Sequence, residues 1–183
     1  MTDPHLQALV ILLTDRGKGR YGLHDVLQIQ HALQAARLAE GDGRQPALIT
    51  AALLHDIGHM VHDLGENPTN QGFDDRHEEV GQKYLSRLFG PEVTEPVRLH
   101  VAAKRYLCAA EADYVSRLSP DSVRSLGLQG GPMSSVEMEV FRDNPHAQAA
   151  VWLRRYDEAS KVKDLETPPV AHFLSYLAQC LRP

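Results

Sequence analysis

From Pro46 to Asp63 the chain reads PALITAALLHDIGHMVHD, an apolar run interrupted at its centre by His55, Asp56 and His59. Such a run is expected to form a helix buried on most of its surface, and buried imidazoles and carboxylates cost several kcal/mol unless something takes their charge or lone pairs. On a helix His55 and His59, at i and i+4, share a face, while Asp56 points about 100° away from His55. The order differs from the HExxH of zinc proteases, because the acid directly follows the first histidine and can itself be a ligand. One buried histidine is commonly a satisfied core residue. An adjacent His-Asp pair is harder to satisfy, because the helix backbone around it is already paired.

The remaining pattern is helical as well. Helices are expected over about 6–16, 25–40 and 46–63, then from Asp74 or Asp75, with Glu78 as a box-like capping partner. Another starts near Pro91 and carries His100 and Lys104 one turn apart, and Ser119-Pro120 and Ser134 with Glu137 mark two further starts. Helices over about 146–161 and 170–181 complete the series, and no strand-length alternation or repeat occurs. The polar stretch LGENPTNQGFDD, over 64–75, is long enough for a functional lid. The expectation is one all-α domain over 1–183.

Composition narrows the partners. The net charge of −5, with no Lys/Arg stripe, argues against a nucleic-acid partner. No apolar run approaches the roughly 20 residues of a membrane span. An acid and a histidine precede the apolar patch near the N-terminus and no small-residue cleavage site follows, so the segment reads as an opening helix rather than a signal peptide. Cys108 and Cys180 lie far apart in no metal or redox spacing and are expected to be reduced, which fits a cytoplasmic location.

Histidine is the unusual residue, with ten in the chain. His31, His77, His100 and Asp157 each fall on an expected helix among apolar residues at helical spacing, whereas His5, His62, His146 and His172 read as surface. Trp152 and Tyr156 read as packing residues. The order His31…His55-Asp56…Asp157 resembles the ligand pattern of the HD-domain superfamily, and His77 and His100 resemble the additions that hold a second metal. The fold implied is a helical HD bundle. Two neighbouring metals need a shared ligand, and Asp56 is the natural bridge. His31, His55 and Asp157 would complete one site, and His77 and His100 the other. Imidazole and carboxylate ligands suit iron, zinc or manganese alike.

A narrower resemblance covers about 21–165. HVAAKRYL (100–107), QGGPM (129–133) and RRYDE (154–158), beside LLHDIGH, are similar to the PhnZ-type mixed-valent diiron oxygenases, which break the carbon–phosphorus bond of 1-hydroxyphosphonates and are relatives of the inositol-cleaving oxygenases. The resemblance implies two iron ions (Fe2+/Fe3+), dioxygen as co-substrate and a small phosphonate substrate. It implies that Tyr21 occupies an iron position until substrate arrives, and that His59 and Lys104 face the phosphonate. Ser122, Ser125, Gln129 and Arg154 fall at or near the other anion-contacting positions. His24 stands where the family pattern has a glutamate near the substrate amine, and the lid (65–76) differs as well. The implied substrate is therefore a 2-amino- or 2-(trimethylammonio)-1-hydroxyethylphosphonate, giving phosphate with glycine or glycine betaine. Asp74 and Asp75 are candidates for cation contacts or for helix capping. The competing readings are a dinuclear HD phosphohydrolase, which needs the same six ligands but not Tyr21, and a non-catalytic HD binding module.

Overall fold

Most helix signals in the sequence lie where helices begin. The structure, a computed structural model, describes residues 3–19, 21, 25–61 and 72–182. Asp3 caps α1 (Pro4–Arg16), Ser119 caps α8 (Pro120–Leu128), and Ser134 with Glu137 forms a capping box on α9 (Ser135–Asp143). First-turn prolines open α3 (Pro46–Leu54) and α6 (Pro91–Ala110), as their fixed φ and missing N–H allow. The other helices are α2 (Gln28–Gly41), α4 (Gly58–Val61), α5 (His77–Leu85), α7 (Tyr114–Arg117), α10 (Ala147–Ala159) and α11 (Val170–Cys180). Phe89 and Leu181 form an isolated antiparallel bridge. None of the described helices is long and apolar enough to cross a membrane.

The axis of the bundle is α3, where every residue from Leu48 to Leu54 is buried. It packs against α2, α6, α10 and α11. Alanines line its contact with α2 (Ala32, Ala35, Ala36 and Ala39 against Ala51 and Ala52), so those two backbones can approach closely. Leu53, Leu54, Leu153, Phe173 and Leu177 fill the wider gaps, each contributing about 1.5–3 kcal/mol on burial. Leu6, Leu9 and Leu13 form the inner stripe of α1.

Two expectations fail here. The helix expected to continue to Asp63 ends at Leu54, and α4 begins anew at Gly58 after a turn. Tight bonds from Ile57 N to Leu54 O and from His59 N to Asp56 O, three residues apart, make that turn. His55 and His59 are thus on opposite sides of a break and do not share one helix face. The second failure is at α5, where Arg76 is the N-cap residue and provides no side-chain cap, so the expected cap from Asp74 or Asp75 with Glu78 is not formed.

Candidate metal centre

The break after α3 turns Asp56 toward α5 and α6. Gly58 makes the approach possible: a Cβ there would lie 1.9 Å from the carbonyl oxygen of His77. Gly81 faces the same crossing, with its Cβ position 3.3 Å from the backbone nitrogen of Gly58. Two glycines therefore let α5 press His77 against the His55-Asp56 turn. His31 enters from α2, His100 from the middle of α6 and Asp157 from α10, all buried.

These six side chains form two groups, His31 with His55 and Asp157, and Asp56 with His77 and His100, each with its ligand atoms within 4.8 Å of one another. Asp56 faces both pairs of histidines. Its Oδ2 lies 3.5 Å from His31 Nε2 and 3.4 Å from His55 Nε2, and its Oδ1 lies 3.5 Å from His77 Nε2 and 3.6 Å from His100 Nε2. This is the disposition of a bridging carboxylate.

Ring protonation states follow from the outer bonds. Nδ1 of His31, His55 and His100 donates to the carbonyls of Ser160, Ala52 and Val97, at 2.9, 2.9 and 2.7 Å. Carbonyl oxygens only accept, so each Nδ1 carries the proton. His77 Nδ1 donates to the Asp75 carboxylate at 2.9 Å. All four Nε2 atoms therefore turn inward, in pairs 3.0 Å apart (His31 and His55) and 3.1 Å apart (His77 and His100). Two such lone pairs repel unless a proton or a cation lies between them. Burial works against the charged form of His31, but Asp157 and Asp56 outweigh it and raise its pKa; burial lowers that of His55. In the second pair burial is likewise overcome at His77 by Asp75 and Asp56, while it lowers the pKa of His100. Each pair is thus disposed to take one positive charge between its two inward nitrogens. Burial opposes ionisation of Asp56 and Asp157, yet the histidines around Asp56, and Arg154 and Lys161 beside Asp157, hold both carboxylates below their ordinary range. Four inward nitrogens and two ionised carboxylates fit a pair of metal ions.

Beside the first group is a cluster of buried cations. Arg154 bonds to Asp157 Oδ2, to Glu158, to Ser122 Oγ at 3.2 Å and to Tyr114 Oη at 3.4 Å. Lys104 Nζ donates to Ser125 Oγ at 2.7 Å, and Lys161 Nζ to Glu158 at 2.9 Å. Tyr21 stacks on His31 with ring centroids 3.8 Å apart, and its hydroxyl donates to Asp157 Oδ1 at 3.4 Å. Gln129 ends α8, and its Oε1 is buried with no hydrogen-bond partner.

The profile of the HD domain matches residues 28–138, more than half of the chain. The chain belongs to the HD-domain family. It is 45% identical over 175 residues to a hydroxymethylphosphonate dioxygenase of Gimesia maris, covering 95% of this chain and 87% of that protein. It is 44% identical over 158 residues to the glycine-betaine-forming [1-hydroxy-2-(trimethylamino)ethyl]phosphonate dioxygenase of Leisingera caerulea, covering 86% of this chain and 81% of the relative. Within the HD-domain family the chain therefore groups with the PhnZ-type branch.

In this HD-domain chain the six expected ligands come together, and Tyr21, Lys104, Ser122, Ser125 and Arg154 gather on one side of them. His59 is half-buried, bonded through Nδ1 to Asp75 at 2.8 Å and stacked on His77. His24, His62 and the lid residues 65–71 lie outside the described residues. Trp152 and Tyr156 are packing residues as expected: Trp152 lies under the Arg44 guanidinium, and the Tyr156 hydroxyl bonds Arg44 and Asp42. Both cysteines are free thiols. Sequence reasoning missed Lys161 and Glu158, and gave Asp75 as a cation contact or a helix cap rather than as a partner of His59 and His77. Lys161 was detectable, because it is four residues after Asp157 at the end of the stretch expected to be helical over about 146–161; it lies just past the end of α10, where its Nζ still reaches Glu158.

Burial, with Arg154 nearby, lowers the pKa of Lys104 to about 7. Below that pH the folded HD domain holds a buried ammonium that the unfolded chain would solvate, and this penalty fades as pH rises from about 7 to the ordinary lysine value of 10.5. Lys104→Met is therefore expected to raise Tm in anion-free buffer, most at pH 6 and least near pH 10, while weakening phosphonate binding. Melting curves across that range together with KM check both halves.

Proposed function

We propose that this chain is a dioxygenase that cleaves the carbon–phosphorus bond of a 1-hydroxyphosphonate, with two iron ions held by the six residues. The observation that carries this reading is one contiguous site: a carboxylate, Asp56, shared between two metal-ligand groups, with the buried cations Lys104 and Arg154 and the half-buried Lys161 beside one of them. The names of the two relatives support the reaction class.

His31, His55 and Asp157 with Asp56 would hold one iron, and Asp56 with His77 and His100 the other. Iron bound there supplies the one-electron chemistry with dioxygen that no side chain of the site can perform. Both oxygen atoms enter the products. The carbon bearing the hydroxyl leaves as a carboxylate and the phosphorus as inorganic phosphate, with release of a proton. The residues of the chain bind and orient. Lys104 and Arg154 neutralise the phosphonate, whose two negative charges suit two cations in a site poor in water. Ser122 and Ser125 stand beside these cations and accept from them, Ser122 from Arg154 and Ser125 from Lys104. Gln129 brings a buried polar group with an open valence. Tyr21, packed on His31 and bonded to Asp157, covers the first metal position and must yield it to the substrate. A phosphohydrolase would have no such use for Tyr21.

The substrate proposed is a 2-amino- or 2-(trimethylammonio)-1-hydroxyethylphosphonate, giving glycine or glycine betaine with phosphate. The Gimesia relative adds hydroxymethylphosphonate, which has the same phosphonate and hydroxyl without a nitrogen end. Aerobic incubation of the iron-loaded protein with these three compounds, assaying phosphate and the matching carboxylate, is the test. Release from at least one is expected. No release from any of them, with turnover of phosphate esters instead, would move the chain to the hydrolases.

A further inference from the structure

Asp75 is outside the ligand set, yet it is only 8% exposed and its two oxygens engage two different imidazoles. Oδ1 accepts from His77 Nδ1 at 2.9 Å, and Oδ2 pairs with His59 Nδ1 at 2.8 Å. The two rings stack with centroids 4.0 Å apart, so one carboxylate clamps them as a unit. A helix-capping role accounts poorly for this arrangement. The bond from His77 N–H to Asp75 Oδ1 is a long 3.4 Å, and the N-cap residue of α5, Arg76, makes no side-chain cap.

The backbone between the two residues points the same way. Arg76 adopts φ 48° and ψ 39°, a left-handed conformation costing a residue with a Cβ about 1–3 kcal/mol. Glycine or asparagine would relieve that cost, and the Arg76 side chain is mostly exposed, bonded to Glu79. The left-handed turn folds Asp75 back over the start of α5, so its carboxylate meets the ring of His77.

We propose that Asp75 is a positioning residue: it fixes the tautomer and orientation of His77 as a ligand of the second metal and holds the substrate-facing ring of His59 against it. A carboxylate behind a ligand imidazole also makes that ring a stronger donor. Metal binding and substrate contact then depend on one side chain at the foot of the segment preceding α5. The inference rests on the two-metal reading above.

The test compares the full-length wild type with Asp75→Asn, Asp75→Ser and His77→Ala. Each is stripped by chelator and titrated anaerobically with ferrous iron by calorimetry, with Tm read in parallel. Two irons are expected for the wild type and one for His77→Ala. Asp75→Asn keeps the volume but accepts from one ring only, and should bind the second iron about 10–100-fold more weakly with the first unchanged. Its KM for the phosphonate, measured at saturating iron, should rise. Asp75→Ser keeps a capping hydroxyl too short to reach either ring, and should retain Tm yet show the same loss. Unchanged second-iron affinity in Asp75→Asn or Asp75→Ser would overturn the proposal, as would a loss that falls equally on both irons in step with Tm. Two irons in His77→Ala would take His77 out of the ligand set and overturn the proposal, whereas fewer than two irons in the wild type would bring down the two-metal reading itself.

Discussion

Asp56→Asn is expected to cost the protein at least one of its two metal ions and to abolish phosphate release. Asp56 Oδ2 faces His31 and His55 while Oδ1 faces His77 and His100. An asparagine has one oxygen and one NH2 group, so whichever way the amide turns, one pair of histidines meets a donor in place of an acceptor. The charge that helps to balance two cations is lost as well. Removing a residue that merely supports a ligand costs about 10–100-fold in metal affinity, and removing a bridging ligand should exceed that. Metal content by plasma spectrometry, measured beside phosphate release, reads the effect. Two irons per chain with turnover near the wild-type value would show that Asp56 does not bridge.

The second large effect is expected from a residue with no polar group. In Gly58→Ala the new methyl would lie 1.9 Å from the carbonyl oxygen of His77 and 2.7 Å from its carbonyl carbon. Both are backbone atoms, so no side chain can rotate to make room, and α5 must move away from the turn. Overpacking of this kind costs about 1–3 kcal/mol even where side chains can adjust, and a backbone clash should reach the upper end or more. His77 leads α5 and would withdraw with it, so the second metal position should suffer more than the first. The expected result is a lowered Tm together with one tightly bound iron. Wild-type Tm and two irons would mean that the crossing at Gly58 has slack.

The candidate ligands were legible because His31, His77, His100 and Asp157 lie on helices whose apolar neighbours repeat at helical spacing, and because His55 and Asp56 are adjacent in an otherwise apolar run. What was not legible depends on contacts between distant parts of the chain. Gly58 reads as an ordinary helical residue until the carbonyl of His77 is known to pass over it. The same crossing explains why the helix from Pro46 stops at Leu54, which periodicity alone carried on to Asp63. Asp75 resembled a cap because an acid just before a helix usually is one, and only the left-handed Arg76 turns it onto the rings. The backbone also satisfies more than expected: His55 uses the carbonyl of Ala52, three residues back, so only its inner nitrogen needs a partner. Lys161 and Glu158 lie four residues after Asp157 and Arg154, so a search at i+4 from the recognised residues, not from the ligands alone, would have found both.

The outward bonds of the four imidazoles have a consequence for metal removal. In small zinc domains the metal organises the chain, and chelation unfolds it. Here Ser160, Ala52, Val97 and Asp75 orient the rings, and an apolar core around α3 holds the helices that carry them. The rings are thus held by the fold as well as by whatever they bind. On the two-metal reading, a chelator is expected to strip the ions without unfolding the chain, and melting curves of stripped and reloaded protein check this.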